Sequence, residues 1–378
     1  MRLTREYKPF DVLTAARKRI AAAFDAGPVQ VAFSGGKDSG VLLHLAVEEA
    51  RRRKTRVSGL FVDWEAQFQL TIDYVRACRE MYADVLDLVW ACVPLVTVNG
   101  CSMIEPEWTC WDPAKRDNWV RPLPEEATTS FPFMSGPMTF EDFMPAANAN
   151  FEGTVLSGVR AQESHDRFLG VFSRARWGKT KVVCPLYDWK VDDIWGYFAL
   201  TGAPYNRLYD RMYQAGLPLR QMRICEPYGE TQRQGLWLFQ IVEPETWAKV
   251  AGRVAGADTA GIYSKKGKWV IPAKPPNGHT WESFTRFLLD TCPAPTAEHY
   301  RTKIAVYLKW CRDHDEAVPD EAPDDLGAKD VPSWRRICTS ILKNDYWMTR
   351  LSFAPTKTAA YAAYMERRKA QRESWQIL

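Results

Sequence analysis

Val29-Gln30-Val31-Ala32-Phe33-Ser34-Gly35-Gly36-Lys37-Asp38-Ser39-Gly40 decides the fold. The apolar run Val29 to Phe33 reads as a short buried strand, and a helical pattern resumes over Val41 to Ala50. Between them, two adjacent glycines let the backbone turn sharply, so that successive N–H groups converge where the helix begins. Those orphan donors and the positive helix end make an anion site. Lys37 adds a mobile cation, Ser34 and Ser39 add hydroxyls, and Asp38 is assigned to orienting the loop or holding Mg²⁺. The alternative is a tight turn in which Ser39 merely caps a helix. A Walker A loop is excluded because GxxxxGK[ST] is absent, and a dinucleotide fingerprint because no GxGxxG follows the strand.

Outward from this loop, strands and helices alternate. Residues 11–26 form an amphipathic helix stopped by Gly27 and Pro28. Val57 to Asp63 is a strand, Gln67 to Met81 a helix and Val85 to Ala91 a strand. Thr154 to Val159 and Val182 to Leu186 are further strands, with helices opening near Ala161 and spanning Val191 to Leu200. Alternation of this kind predicts a doubly wound, mostly parallel α/β sheet. The Trp- and Pro-rich stretch 94–150 interrupts it and reads as an insertion packed over one sheet edge. Domain boundaries are expected at 1–225 for the nucleotide-binding part and 226–378 for a mainly helical C-terminal region, with a hairpin around Ile262 to Ile271.

Composition sets the outer limits. With 378 residues, 46% apolar and 25% charged, the chain is a folded globule, and two domains are the default. A net charge of +4 is too mild for a nucleic-acid coat, and no apolar run is long enough for a membrane span. Nine dispersed cysteines without a CxxC pair suit a reducing cytoplasm. Basicity is concentrated from Ser333 to Leu378, where nine Lys/Arg face three Asp/Glu and aromatics are interleaved. Such a tail can bind nucleic acid, although a solvated amphipathic helix explains it as well.

SGGKDS resembles the PP-loop of the adenine nucleotide α-hydrolase-like (HUP-like) superfamily, and its Lys in the fourth position resembles the phosphoadenosine phosphosulfate (PAPS) reductase branch. Leu156 to Arg167 is similar to that branch's GxRxxES..R segment, and Cys184 to Gly216 to its PL..W...DVW.Y....PYN.LYD.GY block. Arg223 to Gly229, the following Gln232 to Leu236 and the long C-terminal extension resemble immunoglobulin-binding-regulator A type reductases, bacterial and phage proteins often encoded beside a ParB-like partner.

The resemblance implies a ligand, ATP or PAPS, with Mg²⁺, held by Phe33, Ser34, Gly35, Gly36, Lys37, Asp38, Ser39, Asp63, Gly158, Arg160, Ser164, Arg167 and Arg223. Lys37, Asp38 and Arg160 would be catalytic, and Asp38 would be the metal ligand; from its position after Arg223 and before Gly229, Cys225 is the best-placed reactive thiol, the alternative being a buried inert cysteine. From position alone, Asp63 can accept from a ribose or instead cap a helix, and Arg160 and Arg167, seven residues apart, would share one helix face. Reduction of PAPS would need Cys225 or a thiol donor such as thioredoxin. The reductases' ECGIH-like tail is absent, as is the Cys-Cys plus CxxC set of the adenylylsulfate-reducing relatives, so no iron–sulfur cluster is expected. His44 reads as a core histidine, and His165 as a neighbour of the arginines. The alternative function is a nucleotide-sensing regulator, phage- or defence-associated, acting with a ParB-like partner on nucleic acid.

Overall fold

The computed structural model describes residues 9–164, 167–168, 181–224, 235–264, 274–276, 278–326 and 331–351. Cys225, His165 and all of the tail beyond Leu351 lie outside them, as does most of the expected hairpin. Ile262–Ser264, its first residues, fall in a helix, Ala257–Ser264, so no strand begins there. The chain divides into two compact units, each assembled from separated segments: Met1–Thr97, Thr109–Pro227 and Leu238–Arg253 form one, and Val98–Trp108, Tyr228–Trp237 and Val254–Leu378 the other.

The first unit is built on a six-stranded sheet. Its strands are β1 (Val29–Ala32), β2 (Val57–Val62), β3 (Leu86–Ala91), β6 (Ala127–Thr128), β8 (Thr154–Ser157) and β9 (Lys181–Val183), in the order β6-β3-β2-β1-β8-β9. Every pairing in it is parallel, with Ala32 opposite Leu60 on one side and Ser157 on the other. Val29, Val31, Phe61, Trp90 and Leu156 are buried in it. A parallel strand covered on both faces needs this nearly unbroken apolarity. Helix α1 (Val12–Asp25) precedes β1, and α2 (Lys37–Arg53) and α3 (Gln69–Met81) join β1 to β2 and β2 to β3. Asp11 starts α1 by accepting from the Thr14 amide at 2.6 Å, the side-chain cap that satisfies an orphan donor.

The stretch 94–150 carries short strands β4 (Leu95–Val98), β5 (Glu107–Cys110) and β7 (Met138–Thr139), and helix α4 (Phe140–Ala149). Its Ala127–Thr128 pairs with Trp90–Ala91 and becomes the sheet's edge strand, so the insertion extends the sheet edge. Helices α5 (Val191–Thr201), α6 (Leu208–Gln214), α7 (Trp237–Val242) and α8 (Pro244–Arg253) complete the described order up to residue 253. Two expectations fail locally. Residues 161–164 are turn and bend rather than the first turn of a helix, and the strand expected to reach Leu186 stops at Val183. Pro185 has no N–H to give a sheet ladder, and Tyr187 and Trp189 turn back to the carbonyls of Cys184 and Leu186.

The second unit is mainly helical among its described residues: α9 (Ala257–Ser264), α10 (Trp281–Thr291), α11 (Ala294–Asp313) and α12 (Trp334–Leu342). Leu289, Tyr300, Ile304, Tyr307, Ile337 and Ile341 make its core. The described part of the basic tail is packing material here. Arg336 is buried and donates to the Val331 carbonyl, Arg335 pairs with Asp325, and Tyr346 stacks on His299 with ring centroids 3.7 Å apart.

Candidate functional site

β1 has β2 on one side and β8, which comes much later in the chain, on the other. Strand order therefore reverses beside β1, and the crevice outside the carboxyl ends of the strands at such a switch point is where open α/β sheets bind ligands. Two loops face it, Ser34–Gly36 after β1 and Gly158–Arg160 after β8.

The first loop is fixed by its glycines and serines. Gly35 has φ +72°, and a Cβ there would lie 2.9 Å from Thr71 Cγ2, so no other residue fits without strain. Gly36 is the N-cap residue of α2, which begins at Lys37. Ser39 therefore sits inside the first turn and does not cap the helix. Its hydroxyl donates to the Gly36 carbonyl at 3.1 Å and accepts the Ser34 amide at 3.2 Å. Since that uses its one proton, the 2.9 Å contact between the two hydroxyls has Ser34 Oγ donating. Both serines thus brace the turn.

Those bonds leave the backbone amides to face the crevice. The first N–H groups of a helix have no acceptor within it. Here the Lys37 amide donates to Tyr209 Oη at 2.9 Å and the Gly40 amide to the Gly36 carbonyl. For the Asp38 and Ser39 amides no acceptor occurs among the described residues. Gly158 lies against the peptide that carries the Ser39 amide: a Cβ on it would stand 3.1 Å from Ser39 N and 3.2 Å from the Asp38 carbonyl carbon. Its missing side chain keeps that spot open.

Charge is laid out in an alternating row. Lys37 Nζ lies 3.1 Å from Asp38 Oδ2 and donates to the Met222 carbonyl at 3.2 Å. Asp38 Oδ1 accepts from Arg160 Nε at 2.5 Å, Arg160 Nη2 lies 3.5 Å from Glu163, and Glu163 pairs with Arg167. Three cations alternate with two carboxylates, so the row carries one positive charge in excess. Lys37 and Arg160 are buried, while Arg167 is exposed. The two arginines are joined by Glu163 rather than by a common helix face. Ser164 Oγ accepts the Arg167 amide at 3.1 Å, and Arg223 is exposed.

Asp38 does not suit a metal. One of its oxygens is held by Arg160 and the other faces Lys37, so a divalent cation would have to displace or oppose both. Among the described residues no group of three His, Cys, Asp or Glu side chains could hold a metal ion.

Asp63 is buried and engaged on both oxygens: Oδ2 accepts from Trp90 Nε1 at 2.7 Å, and Oδ1 accepts the Glu65 amide at 2.9 Å and pairs with Arg121. It caps no helix. Glu65, at φ +61°, takes the amides of Trp111 and Val120 and the Arg253 guanidinium. Phe33 is core, with its ring centroid 6.0 Å from that of Tyr74. His44 is core as well. Its Nε2 faces the Pro204 carbonyl at 2.8 Å and must donate, so Nδ1 accepts from Tyr82 Oη at 2.6 Å.

Sequence reasoning missed the loop's supports. Asn206 is fully buried, donates to the Gly35 carbonyl and to Thr71 Oγ1, each at 3.0 Å, and accepts the Leu208 amide. Tyr209 holds the Lys37 amide, and Met222 offers its carbonyl to Lys37. Asn206 and Tyr209 stand in the block Pro204-Tyr205-Asn206-Arg207-Leu208-Tyr209-Asp210, which carried that signal. Nothing in the sequence marked Thr71 or Met222. Burial pushes the Cys78 thiol up to about 12 and that of Cys338 up to about 11, and it raises Cys92 and Cys110 as well, which disfavours the thiolate at these four.

Residues 28–215 match the phosphoadenosine phosphosulfate reductase domain, and 216–330 match a domain of unknown function, DUF3440. The uncharacterized protein YbdN of Escherichia coli K12 is 44% identical over 98% of this chain and 97% of its own. Adenosine 5′-phosphosulfate reductase of Halalkalibacterium halodurans is 36% identical over 22% of this chain and 36% of its own. Among solved structures, PAPS reductase from Candida auris in a phosphate complex aligns with TM-score 0.30 at 15% identity, over 55% of this chain and 93% of that one. The chain belongs to the family of YbdN, and in it a PAPS reductase domain of the PP-loop superfamily is joined to a DUF3440 region.

Proposed function

We propose that the chain is a PP-loop enzyme that binds ATP or PAPS, with the nucleotide's phosphates on the amides of Asp38 and Ser39 and its distal anionic group toward Arg160 and Arg167. The observation that carries this reading is the pair of helix-start amides at the switch point that meet no acceptor among the described residues, the Ser39 amide facing the side-chain-free Gly158. Amides fixed before the reaction stabilise developing negative charge without reorganising. Lys37 has three donors, of which Met222 takes one and Asp38 attracts another, leaving one for a phosphate oxygen. With ATP, a nucleophile attacks the α-phosphorus, the bond to the bridging oxygen breaks, and pyrophosphate departs against these donors.

PAPS supports a second reading. There a thiolate attacks the sulfonate sulfur, forms an S–S bond and expels adenosine 3′,5′-bisphosphate; a second thiol then forms a disulfide and releases sulfite. The supporting observation is that Met222, three residues before Cys225, is bonded to Lys37. Cys225 or a thiol donor such as thioredoxin would supply the attacking sulfur. Assignment to the immunoglobulin-binding-regulator A type, a cytoplasmic location and the regulatory alternative with a ParB-like partner and nucleic acid belong to this proposal too, and rest on motifs alone.

The test is titration calorimetry of the full chain with ATP and with PAPS, followed by assay for pyrophosphate and sulfite. Pyrophosphate release unchanged in Cys225→Ser supports adenylyl chemistry; sulfite release abolished by that substitution supports reduction. No heat with either nucleotide removes both.

A further inference from the structure

Away from the loop, Arg116, Trp119, Arg121 and Lys249 line a cleft of about 250 Å³ in the first unit. Its remaining walls are Val120, Pro122 and Leu123, so three of its lining residues are cations and none is an acid. A second hollow of about 340 Å³ adjoins it across Arg121 to Leu123 and reaches Gln69 and Ile72 at the start of α3. Arg121 is 8% exposed, and its Nη2 pairs with Asp63. Its Nε is buried and meets no acceptor among the described residues. A guanidinium is a fork of five donors, and this one keeps part of that capacity unspent. Trp119 supplies a flat wall, with the Arg116 guanidinium over its ring at 5.6 Å. Exposed Arg116 and Lys249 and buried Arg121 therefore present positive charge beside an aromatic face, a combination that suits an anionic oxygen group on a planar body.

The place matters as much as the composition. Asp63 follows β2 directly, Ser34 lies two residues past the end of β1, and the two strands are neighbours about 4.8 Å apart. A molecule anchored on Arg121 would lie along the same carboxyl edge as the nucleotide loop. We propose that the Arg116–Trp119–Arg121–Lys249 cleft binds the carboxylate or phosphate of a small organic anion with a planar apolar body, the acceptor on which the nucleotide chemistry acts. The acceptor role rests on the nucleotide reading above; the binding site does not.

Fluorine NMR of the full chain with 4-fluorobenzoate, 4-fluorophenyl phosphate and uncharged 4-fluorobenzamide tests it. The two anions are expected to broaden and the amide not, and whichever anion binds more tightly identifies the group. In Arg116→Gln/Lys249→Gln, whose altered side chains are exposed, affinity for the anions should fall at least fivefold while ATP binding stays unchanged. Gly158→Ala should do the reverse. Broadening by the amide equal to that by the anions, anion affinity unmoved in the double variant, or no broadening at all overturns the proposal. A chain that holds the anions but no ATP retains the cleft and loses the nucleotide reading.

Discussion

Gly158 is the residue on which the site turns, because what it lacks is as consequential as what Lys37 supplies. Its Cβ position is 3.1 Å from Ser39 N, closer than ordinary van der Waals contact and set against backbone that cannot rotate away. Gly158→Ala should therefore cost about 1–3 kcal/mol of stability through overpacking and cover the amide that a phosphate would need. ATP affinity measured by calorimetry should fall at least tenfold, with the fold retained by circular dichroism; affinity within twofold of the parent would mean that phosphate sits elsewhere. Glycines of this kind are visible in sequence, since a required turn or close approach leaves a glycine behind. Residues that act by satisfying backbone are harder to see. Asn206 could be any turn asparagine until the Gly35 carbonyl and Thr71 hydroxyl are found against it. Asp63 misleads for the opposite reason: an acid at a strand's carboxyl end suggests a ligand, yet Trp90, Glu65 and Arg121 surround it. That requires knowing where the chain places residues 27 and 58 positions away.

At the scale of elements, β1, β2 and β3 and their helices are legible because buried parallel strands must be apolar throughout and their helices must be amphipathic. The start of α2 is not legible from periodicity, as Lys37 to Gly40 carry no apolar repeat; the glycine pair sets that boundary instead. The short strands of residues 94–150 are invisible for a related reason. Two to four residues are too few to establish a period of two, and their pairing is settled by distant partners such as Trp90. Helix α2 also carries a pH-dependent term. His44 is buried between the Pro204 carbonyl and Tyr82, and desolvation holds its pKa below the ordinary value, opposed by the Pro204 bond and by Glu48. The unfolded chain, with a histidine near 6.5, then binds protons more readily than the folded one. Stability from this group is full above that value and declines as the pH falls below it. His44→Gln can donate to Pro204 and accept from Tyr82 without titrating. The stability gap between parent and variant, from urea midpoints, should shift against the parent between pH 7 and pH 5; parallel curves would show that His44 stays neutral in both states or charges in both.

The whole molecule consists of two units interleaved in sequence, which is the least legible feature of all. The mainly helical reading of 226–378 takes in Leu238–Arg253 but does not say that this segment belongs with the sheet unit, where Arg253 pairs with buried Glu65. Nor does it say that Val98–Trp108 belongs with the helical unit, where Met103 packs on the Leu289 and Tyr300 core. The division has a thermodynamic consequence if nucleotide binds where proposed. A ligand stabilises only the states that hold its site, by RT ln(1 + [L]/Kd), or about 2.7 kcal/mol at a hundredfold excess over Kd. All groups assigned to the phosphates lie in the first unit. Hydrogen exchange of the slowest amides of β1, β2 and β8 should therefore slow by about 100-fold with saturating ATP, whereas those of α10, α11 and α12 should keep their ligand-free rates. Equal slowing in both sets would mean that the units open as one cooperative body despite their separate cores. Slowing confined to the helices would place the nucleotide in the second unit, against the glycine-lined crevice.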